Sequence, residues 1–273
     1  MPTSHRDRLL AWFAPYRSCV VAYSGGVDSA VVAQAAFLAL GDAALAVTGE
    51  SASLAAGELD NAVAVAQRIG IRHEIVATRE FERPDYLRNG PDRCYHCKTE
   101  LYTQLEQWLS RFPADVVVNG ANADDAGDYR PGMRAAAEHR VRSPLLECEL
   151  TKREVRELAA AWQLPVWDKP ASPCLSSRVA YGEAVTPERL RMIDDAERFL
   201  RARGFPEVRV RYHSGDLARV EVSAAELARL AEPPLRDELV AELTRLGFRF
   251  VTLDLQGFRS GSLNSLVTLQ GLR

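Results

Sequence analysis

Short apolar runs alternate with helical patterns through the first part of the chain. Each run is followed by Gly, Ser or other polar residues, which is typical of buried strands. The predicted strands cover residues 19–23, 45–48, 73–77 and 115–120. The helical patterns between them cover residues 28–40, 56–69 and 99–110. This alternation predicts an α/β fold with a mostly parallel, doubly wound sheet covered by helices on both faces.

The pattern changes after Arg178. An amphipathic helix is predicted over residues 186–203, with Thr186 as N-cap and Pro187 in its first turn. The elements that follow are half-exposed strands at 208–212 and 218–222, a helix at 235–246 and a strand near 249–255. We therefore expect two domains, an α/β domain over residues 1–178 and a smaller α+β domain over residues 179–273.

The composition narrows the class of protein. With 47% hydrophobic and 26% charged residues, the chain is typical of soluble globular proteins. The net charge of -3 lacks the cation surplus that displaces counterions from nucleic acid, so we expect no nucleic-acid partner. The N-terminus is polar, and no apolar run approaches the roughly 20 residues that span a bilayer. We expect no membrane association, and the odd number of cysteines, 5, favours the reducing cytoplasm.

A glycine pair follows the first predicted strand, in the string Ser24-Gly25-Gly26-Val27-Asp28-Ser29. Two glycines let the backbone approach an anion, and the helix that follows presents free N–H groups. Ser24 and Ser29 add hydroxyl donors. Asp28 suits a phosphate site only if a divalent cation such as Mg²⁺ accompanies the phosphates. The string is not a Walker A motif, and the alternative is a tight strand-to-helix turn with capping residues.

Three of the cysteines lie where they are available for chemistry. Cys94 and Cys97 form a Cys-x-x-Cys pair, whose spacing lets both thiolates face one metal or cluster. Cys174 lies in a Pro- and Ser-rich loop near Arg178, which makes it a candidate low-pKa thiol. Alternatives are a redox pair, or structural zinc held with Cys174 and either His96 or Cys148. We expect Cys19, in a buried strand, to fill the core, and Cys148 to be inert.

The phosphate string resembles the PP-loop of the N-type ATP pyrophosphatases. Further motifs occur in order, and together they are similar to those of the LarE family over about residues 18–225. These motifs are Arg-Cys-Tyr-His-Cys-Lys at 93–98, Asn-Gly-Ala-Asn-Ala-Asp-Asp at 119–125, Asp-Tyr-Arg-Pro-Gly at 128–132, Ser-Pro-Leu at 143–145, Cys-Leu-Ser-Ser-Arg at 174–178 and Arg-Val-Arg at 209–211. LarE proteins are sulfur transferases that help to build the nickel-pincer cofactor of lactate racemase.

The resemblance implies a reaction. A carboxylate of pyridinium-3,5-biscarboxylic acid mononucleotide is adenylylated by ATP with Mg²⁺, pyrophosphate is released, and sulfur converts the carboxylate to a thiocarboxylate. Ser24, Gly25, Gly26, Asp28 and Ser29 would bind ATP and pyrophosphate, with Asp28 on Mg²⁺. Members with three cysteines hold a [4Fe-4S] cluster that carries an extra sulfide, so the resemblance assigns that role to Cys94, Cys97 and Cys174. In members with one cysteine, the equivalent of Cys174 gives up its own sulfur.

The resemblance also implies a substrate site. Arg209 and Arg211 alternate on a predicted strand, and two guanidiniums on one face suit a phosphate; Ser177, Arg178 and Glu197 are further candidates for substrate contacts. Asp124 and Asp125, after the fourth predicted strand, are candidates for substrate or Mg²⁺ contacts. The alternatives are a solvated strand face, a surface position for Glu197, and helix capping by Asp124 and Asp125. The family tends to form hexamers, and an unidentified sulfur donor would reload the cluster. Rival functions are a tRNA thiolase, an amidating synthetase and a non-catalytic nucleotide sensor.

Overall fold

The computed structural model describes residues 4–110, 112–127, 131–259 and 262–263. The chain forms two compact units. The first comprises the residues up to Glu80 together with Cys94–Ser172, and the second comprises Phe81–Arg93 together with the described residues from Pro173 onward. The domain boundary expected from sequence lay after residue 178, with residues 81–93 in the first domain. Residues 128–130, which begin the Asp-Tyr-Arg-Pro-Gly motif, lie outside the described residues.

Residues 81–93 join the second unit through backbone and side-chain hydrogen bonds. The Asn89 amide donates to the carbonyls of Val179 and Ala180, at 3.2 and 2.8 Å, and the Val185 N–H donates to the Leu87 carbonyl at 3.0 Å. These partners are about 90 residues away along the chain. A local hydrophobic pattern carries no information about such a long-range attachment.

The first unit is built on a parallel four-stranded sheet with strand order β3-β2-β1-β4. Its strands are β1 Cys19–Ala22, β2 Ala44–Glu50, β3 Arg72–Ala77 and β4 Val116–Val118. Its helices are α1 His5–Phe13, α2 Val27–Leu40, α3 Glu58–Ile69, α5 Arg93–Leu109, α6 Pro131–Glu138, α7 Pro144–Glu147 and α8 Lys152–Ala161. The predicted α/β class and the four predicted strands are confirmed.

Successive strand residues face opposite sides of this sheet, as the two-residue period of a strand requires. Cys19 and Val21 of β1 belong to a core cluster packed under α1, α2, α3 and α8. Val20 belongs to a second cluster with residues of α5 and α6, including Tyr102 and Ala135. The strands are therefore buried on both faces, which explains why they form continuous apolar runs rather than an alternating pattern.

The helix expected over residues 99–110 begins six residues earlier, because α5 covers Arg93–Leu109. This extension places the Cys-x-x-Cys motif inside the first turns of a helix. Residues three apart on a helix share a face, so Cys94 and Cys97 point to the same side.

The second unit contains a mixed three-stranded sheet with order β5-β6-β7, in which β5 and β6 are antiparallel and β6 and β7 are parallel. Its strands are β5 Val208–His213, β6 Leu217–Val222 and β7 Phe250–Leu253. Its helices are α4 Pro84–Leu87, α9 Pro187–Ala202, α10 Leu227–Ala231 and α11 Leu235–Leu246. Thr186 caps α9 as predicted, since its hydroxyl accepts the Arg189 N–H.

The expectation that β5 and β6 are half-exposed is wrong. Arg211 of β5 and Glu221 of β6 are both buried, and they pair with each other across the sheet. The alternation of charged and apolar residues therefore reflects an internal ion pair and not a solvated face. Among the described residues, no helix has the length and apolar character needed to cross a bilayer.

Candidate active site

The glycine loop lies between β1 and α2, at the point where the order of the strands in the sheet reverses. β2 and β3 lie on one side of β1, and β4 lies on the other. In open parallel sheets, ligands bind beyond the carboxyl ends of the strands at this switch point. The polar residues that follow β4 reach the same place, because a Cβ added to Gly120 would stand 2.8 Å from the Ser29 nitrogen.

Gly25 gives the loop its shape. Its φ of +71° lies in the left-handed region that side chains disfavour. A Cβ added there would stand 2.7 Å from both Cα and Cβ of Ala62 on α3. The loop is therefore pressed against α3, and only glycine permits this approach.

The serine hydroxyls line the same turn. Ser24 and Ser29 have their hydroxyl oxygens 3.1 Å apart, and the Ser29 hydroxyl donates to the Gly26 carbonyl at 3.1 Å. Within the described part of the chain, no side chain caps the first turn of α2, whose N-cap is Gly26. Uncapped N–H groups at a helix N-terminus, with hydroxyl donors beside them, are the groups that bind a phosphate.

Asp28 is held by two partners from later in the chain. The Asn122 amide donates to Asp28 Oδ1 at 3.1 Å, and Lys152 at the start of α8 forms an ion pair with Oδ2. The Asp124 carboxylate accepts the backbone N–H of Lys152, the first residue of α8, at 2.9 Å, which agrees with the helix-capping interpretation, although the N-cap residue of α8 is Thr151. Sequence reasoning missed Lys152, although the chain contains only three lysines among its 34 basic residues.

The five cysteines fall into two groups by burial. Cys19 and Cys148 are buried in the core of the first unit, and burial raises the pKa of both thiols. The prediction that Cys19 fills the core is therefore confirmed, and Cys148 is enclosed as expected of an inert thiol. Cys94 and Cys174 are exposed, and Cys97 is half-buried. Among the described residues, no three His, Cys, Asp or Glu side chains are grouped closely enough to hold a metal ion.

Arg178 fixes the segment that carries Cys174 in the second unit. This arginine is 1% exposed. Its Nη1 donates to the Pro173 carbonyl, to the Cys174 carbonyl at 3.0 Å and to the Ser177 hydroxyl at 3.1 Å. Cys174 itself precedes a short 3₁₀ turn over Leu175–Arg178. The guanidinium therefore clamps the backbone on both sides of the cysteine, and the thiol remains exposed.

Glu197 is the counterion of this arginine. It is completely buried, so the surface interpretation is wrong. Its carboxylate pairs with Arg178 at 3.0 Å and Arg201 at 2.5 Å, and it accepts the Val210 N–H at 3.2 Å. A buried carboxylate needs such donors to offset its loss of hydration, so Glu197 has a structural role in the second unit. Its predicted contact with substrate stays a prediction.

Arg211 and Arg209 differ in their surroundings. Arg211 is buried, pairs with Glu221 at 2.9 Å and donates to the Ser177 carbonyl at 3.2 Å. Arg209 is half-buried and, among the described residues, forms no ion pair; it donates to the Val208 carbonyl at 2.8 Å. Burial and the nearby positive charge of Arg178 lower the pKa of Arg209 to about 10. Arg209 is still cationic at neutral pH, and it differs from Arg178, Arg201 and Arg211 in having no carboxylate partner among the described residues.

Comparison with known proteins finds relatives whose sequences align with most of this chain. No protein-family model matches the chain. It is 44% identical over 268 residues to an uncharacterized protein from Synechocystis sp., covering 98% of this chain and 100% of that protein. It is 27% identical over 244 residues to an uncharacterized protein from Methanocaldococcus jannaschii, covering 89% and 92% of the two chains.

A third relative has a defined activity. The chain is 37% identical over 262 residues to the pyridinium-3,5-bisthiocarboxylic acid mononucleotide synthase of Lactiplantibacillus plantarum. The match covers 95% of this chain and 94% of the synthase, so it includes both structural units. This agreement over nearly the whole of both sequences shows that the chain belongs to the LarE family.

Proposed function

We propose that the protein is an ATP-dependent sulfur transferase that thiolates a carboxylate of pyridinium-3,5-biscarboxylic acid mononucleotide. The name of the Lactiplantibacillus plantarum relative, a synthase of the corresponding bisthiocarboxylic acid, supports this substrate and an enzymatic role. The observation that carries the proposal is the uncapped, glycine-hinged turn at the switch point of the parallel sheet. Such a turn binds phosphates.

The first step is adenylylation. A substrate carboxylate oxygen forms a bond to the α-phosphorus of ATP, the bond from that phosphorus to the bridging oxygen breaks, and pyrophosphate leaves. The N–H groups of the loop and the hydroxyls of Ser24 and Ser29 would hold the departing pyrophosphate. Fixed donors aimed at developing negative charge are an effective source of transition-state stabilisation.

Asp28 would hold the Mg²⁺ that accompanies the nucleotide, since a carboxylate is a preferred ligand for this ion. The ammonium of Lys152 occupies one of its oxygens, so cation binding would release Lys152. The long, flexible lysine side chain can then turn to the phosphate oxygens close by. Lys152 would thus exchange one anionic partner for another when the nucleotide binds.

The second step is sulfur transfer. A sulfur nucleophile attacks the acyl carbon, the new C–S bond forms, and AMP leaves with the electrons of the C–O bond. The thiols of Cys94, Cys97 and Cys174 are accessible, and thiolates are the ligands of iron–sulfur clusters. A [4Fe-4S] cluster held by these three residues would supply sulfide as that nucleophile. Arg178 would fix the backbone of Cys174 during the reaction.

The phosphate of the substrate mononucleotide would bind at Arg209. The guanidinium has no carboxylate partner among the described residues, whereas the neighbouring Arg178, Arg201 and Arg211 each form an ion pair with a buried glutamate. A phosphate near Arg209 would relieve the positive potential that lowers the pKa of this arginine.

Exchange of radiolabelled pyrophosphate into ATP tests the proposed function. We expect exchange that requires both Mg²⁺ and the pyridinium dicarboxylate mononucleotide, and that falls at least about tenfold in Ser29→Ala, in line with the loss of one fixed donor. Absence of acceptor-dependent exchange in the native protein would contradict the proposal and favour a nucleotide sensor.

A further inference from the structure

Helix α3 contacts two separate segments of the first unit with one face. Glu58, Asn61 and Ala62 are three and four residues apart and therefore share this face. Asn61 donates to the Gly25 carbonyl at 3.3 Å, and Ala62 is the residue against which Gly25 is pressed. At the first turn of the same helix, the Glu58 carboxylate accepts from Lys169 at 2.7 Å and from the Ser172 hydroxyl at 3.2 Å.

The segment over residues 167–172, which we call the cysteine stem, is thus fixed from two helices. From α8, Arg156 donates to the carbonyls of Trp167 and Lys169, both at 2.9 Å. From α3, Glu58 binds the side chains of Lys169 and Ser172. Cys174 follows the stem by two residues. The stem is therefore held by two helices that also contact the glycine loop region, α3 through Asn61 and α8 through the ion pair of Lys152 with Asp28.

The choice of residue at position 169 supports a specific role for the pair. The chain uses arginine at 31 of its 34 basic positions and lysine only at positions 98, 152 and 169. Lys98 adjoins the Cys-x-x-Cys motif, and Lys152 binds Asp28. Lysine places a compact charge at the end of a flexible stem, whereas arginine requires room for a planar fork. Lys169 and Glu58 are each 23% exposed, so solvent screens this pair only partly.

We propose that Glu58 is a positioning residue for sulfur delivery. By binding Lys169 and Ser172, it fixes the cysteine stem to the same helix that contacts the glycine loop. The inference rests on the proposed function, because it assigns Glu58 to the second step of that reaction. Loss of Glu58 should then impair transfer of sulfur much more than adenylylation.

Hydrogen exchange tests the anchor without any assumption about catalysis. We expect amides in the peptide covering 167–172 to exchange about tenfold faster in Glu58→Ala and Lys169→Met than in the native chain. Glu157→Gln is the matched control, because Glu157 forms an exposed ion pair with Arg153 on α8. Unchanged exchange of the stem in both test variants would overturn the proposal.

The two half-reactions then separate positioning from folding. In Glu58→Ala, we expect pyrophosphate exchange within about twofold of the native rate and thiolation reduced about tenfold or more. The charge-reversed pair Glu58→Lys with Lys169→Glu should recover much of the thiolation that either single reversal loses. Equal losses in both half-reactions, or no recovery in the double variant, would overturn the assignment. A native protein without pyrophosphate exchange would instead refute the proposed function. The hydrogen-exchange measurement would still test whether Glu58 anchors the cysteine stem.

Discussion

Replacement of Gly25 by alanine tests the close contact between the glycine loop and α3. A side chain at the left-handed φ of +71° costs about 1–2 kcal/mol. The added methyl group would also stand 2.7 Å from the backbone Cα of Ala62, and such overpacking costs a further 1–3 kcal/mol or so. We therefore expect the free energy of unfolding to fall by about 2–5 kcal/mol.

Gly57→Ala is the matched control in the same unit. Gly57 has a φ of +80°, but a Cβ added there would meet nothing within 4 Å. We expect this variant to lose only the conformational contribution of about 1–2 kcal/mol. The difference between the two variants isolates the close contact between the loop and α3.

Urea denaturation followed by tryptophan fluorescence measures both variants. All 4 tryptophans, at positions 12, 108, 162 and 167, lie in the first unit, so the signal follows the unit that contains Gly25. Gly25→Ala should also abolish pyrophosphate exchange, whereas Gly57→Ala should retain it. A Gly25→Ala variant no less stable than Gly57→Ala would refute the argument that the loop is pressed against α3.

Three further predictions follow from the burial of charged and nucleophilic groups. Glu197→Ala should lower the free energy of unfolding by about 3–5 kcal/mol in a circular-dichroism urea titration, because the buried guanidinium of Arg178 loses its counterion. A loss no larger than that caused by replacing an exposed glutamate on the same helix would contradict this. Iodoacetamide should modify Cys94, Cys97 and Cys174 of the folded apoprotein at least about tenfold faster than the buried Cys19 and Cys148. Peptide mass mapping measures these rates, and equal rates for the two groups would be inconsistent with the burial described. Burial lowers the pKa of His73 and His213 from 6.5, so below that pH the unfolded chain binds more protons than the folded chain. The free energy of unfolding should therefore fall as pH decreases through about 6.5. The fall should be less steep in a variant with both histidines changed to glutamine.

Much of the architecture follows from local pattern. The buried strands of the first unit and the capped helix α9 were predictable, because a continuous apolar run, a Gly stop and a Thr-Pro start are each encoded within a few residues. The position of the glycine loop followed in the same way, because a glycine pair follows the first predicted strand.

The charged interior was not predictable from local pattern. Glu197 lies on an amphipathic helix and resembles a surface residue until Arg178 and Val210, from other elements, are seen to bind it. Lys152 likewise meets Asp28 across 124 residues of sequence. Pairings between distant charges depend on the folded topology, and the identity of one partner does not specify the other.

The proposed function requires that sulfur be delivered catalytically to an adenylylated carboxylate. Its most direct test is to incubate anaerobically reconstituted protein with Mg-ATP, sulfide and the pyridinium dicarboxylate mononucleotide, and to measure intact masses of product and protein. We expect a thiolated product over many turnovers with an unchanged protein mass. A yield limited to one sulfur per chain, with the protein lighter by one molecule of hydrogen sulfide, would contradict it and show that Cys174 is consumed.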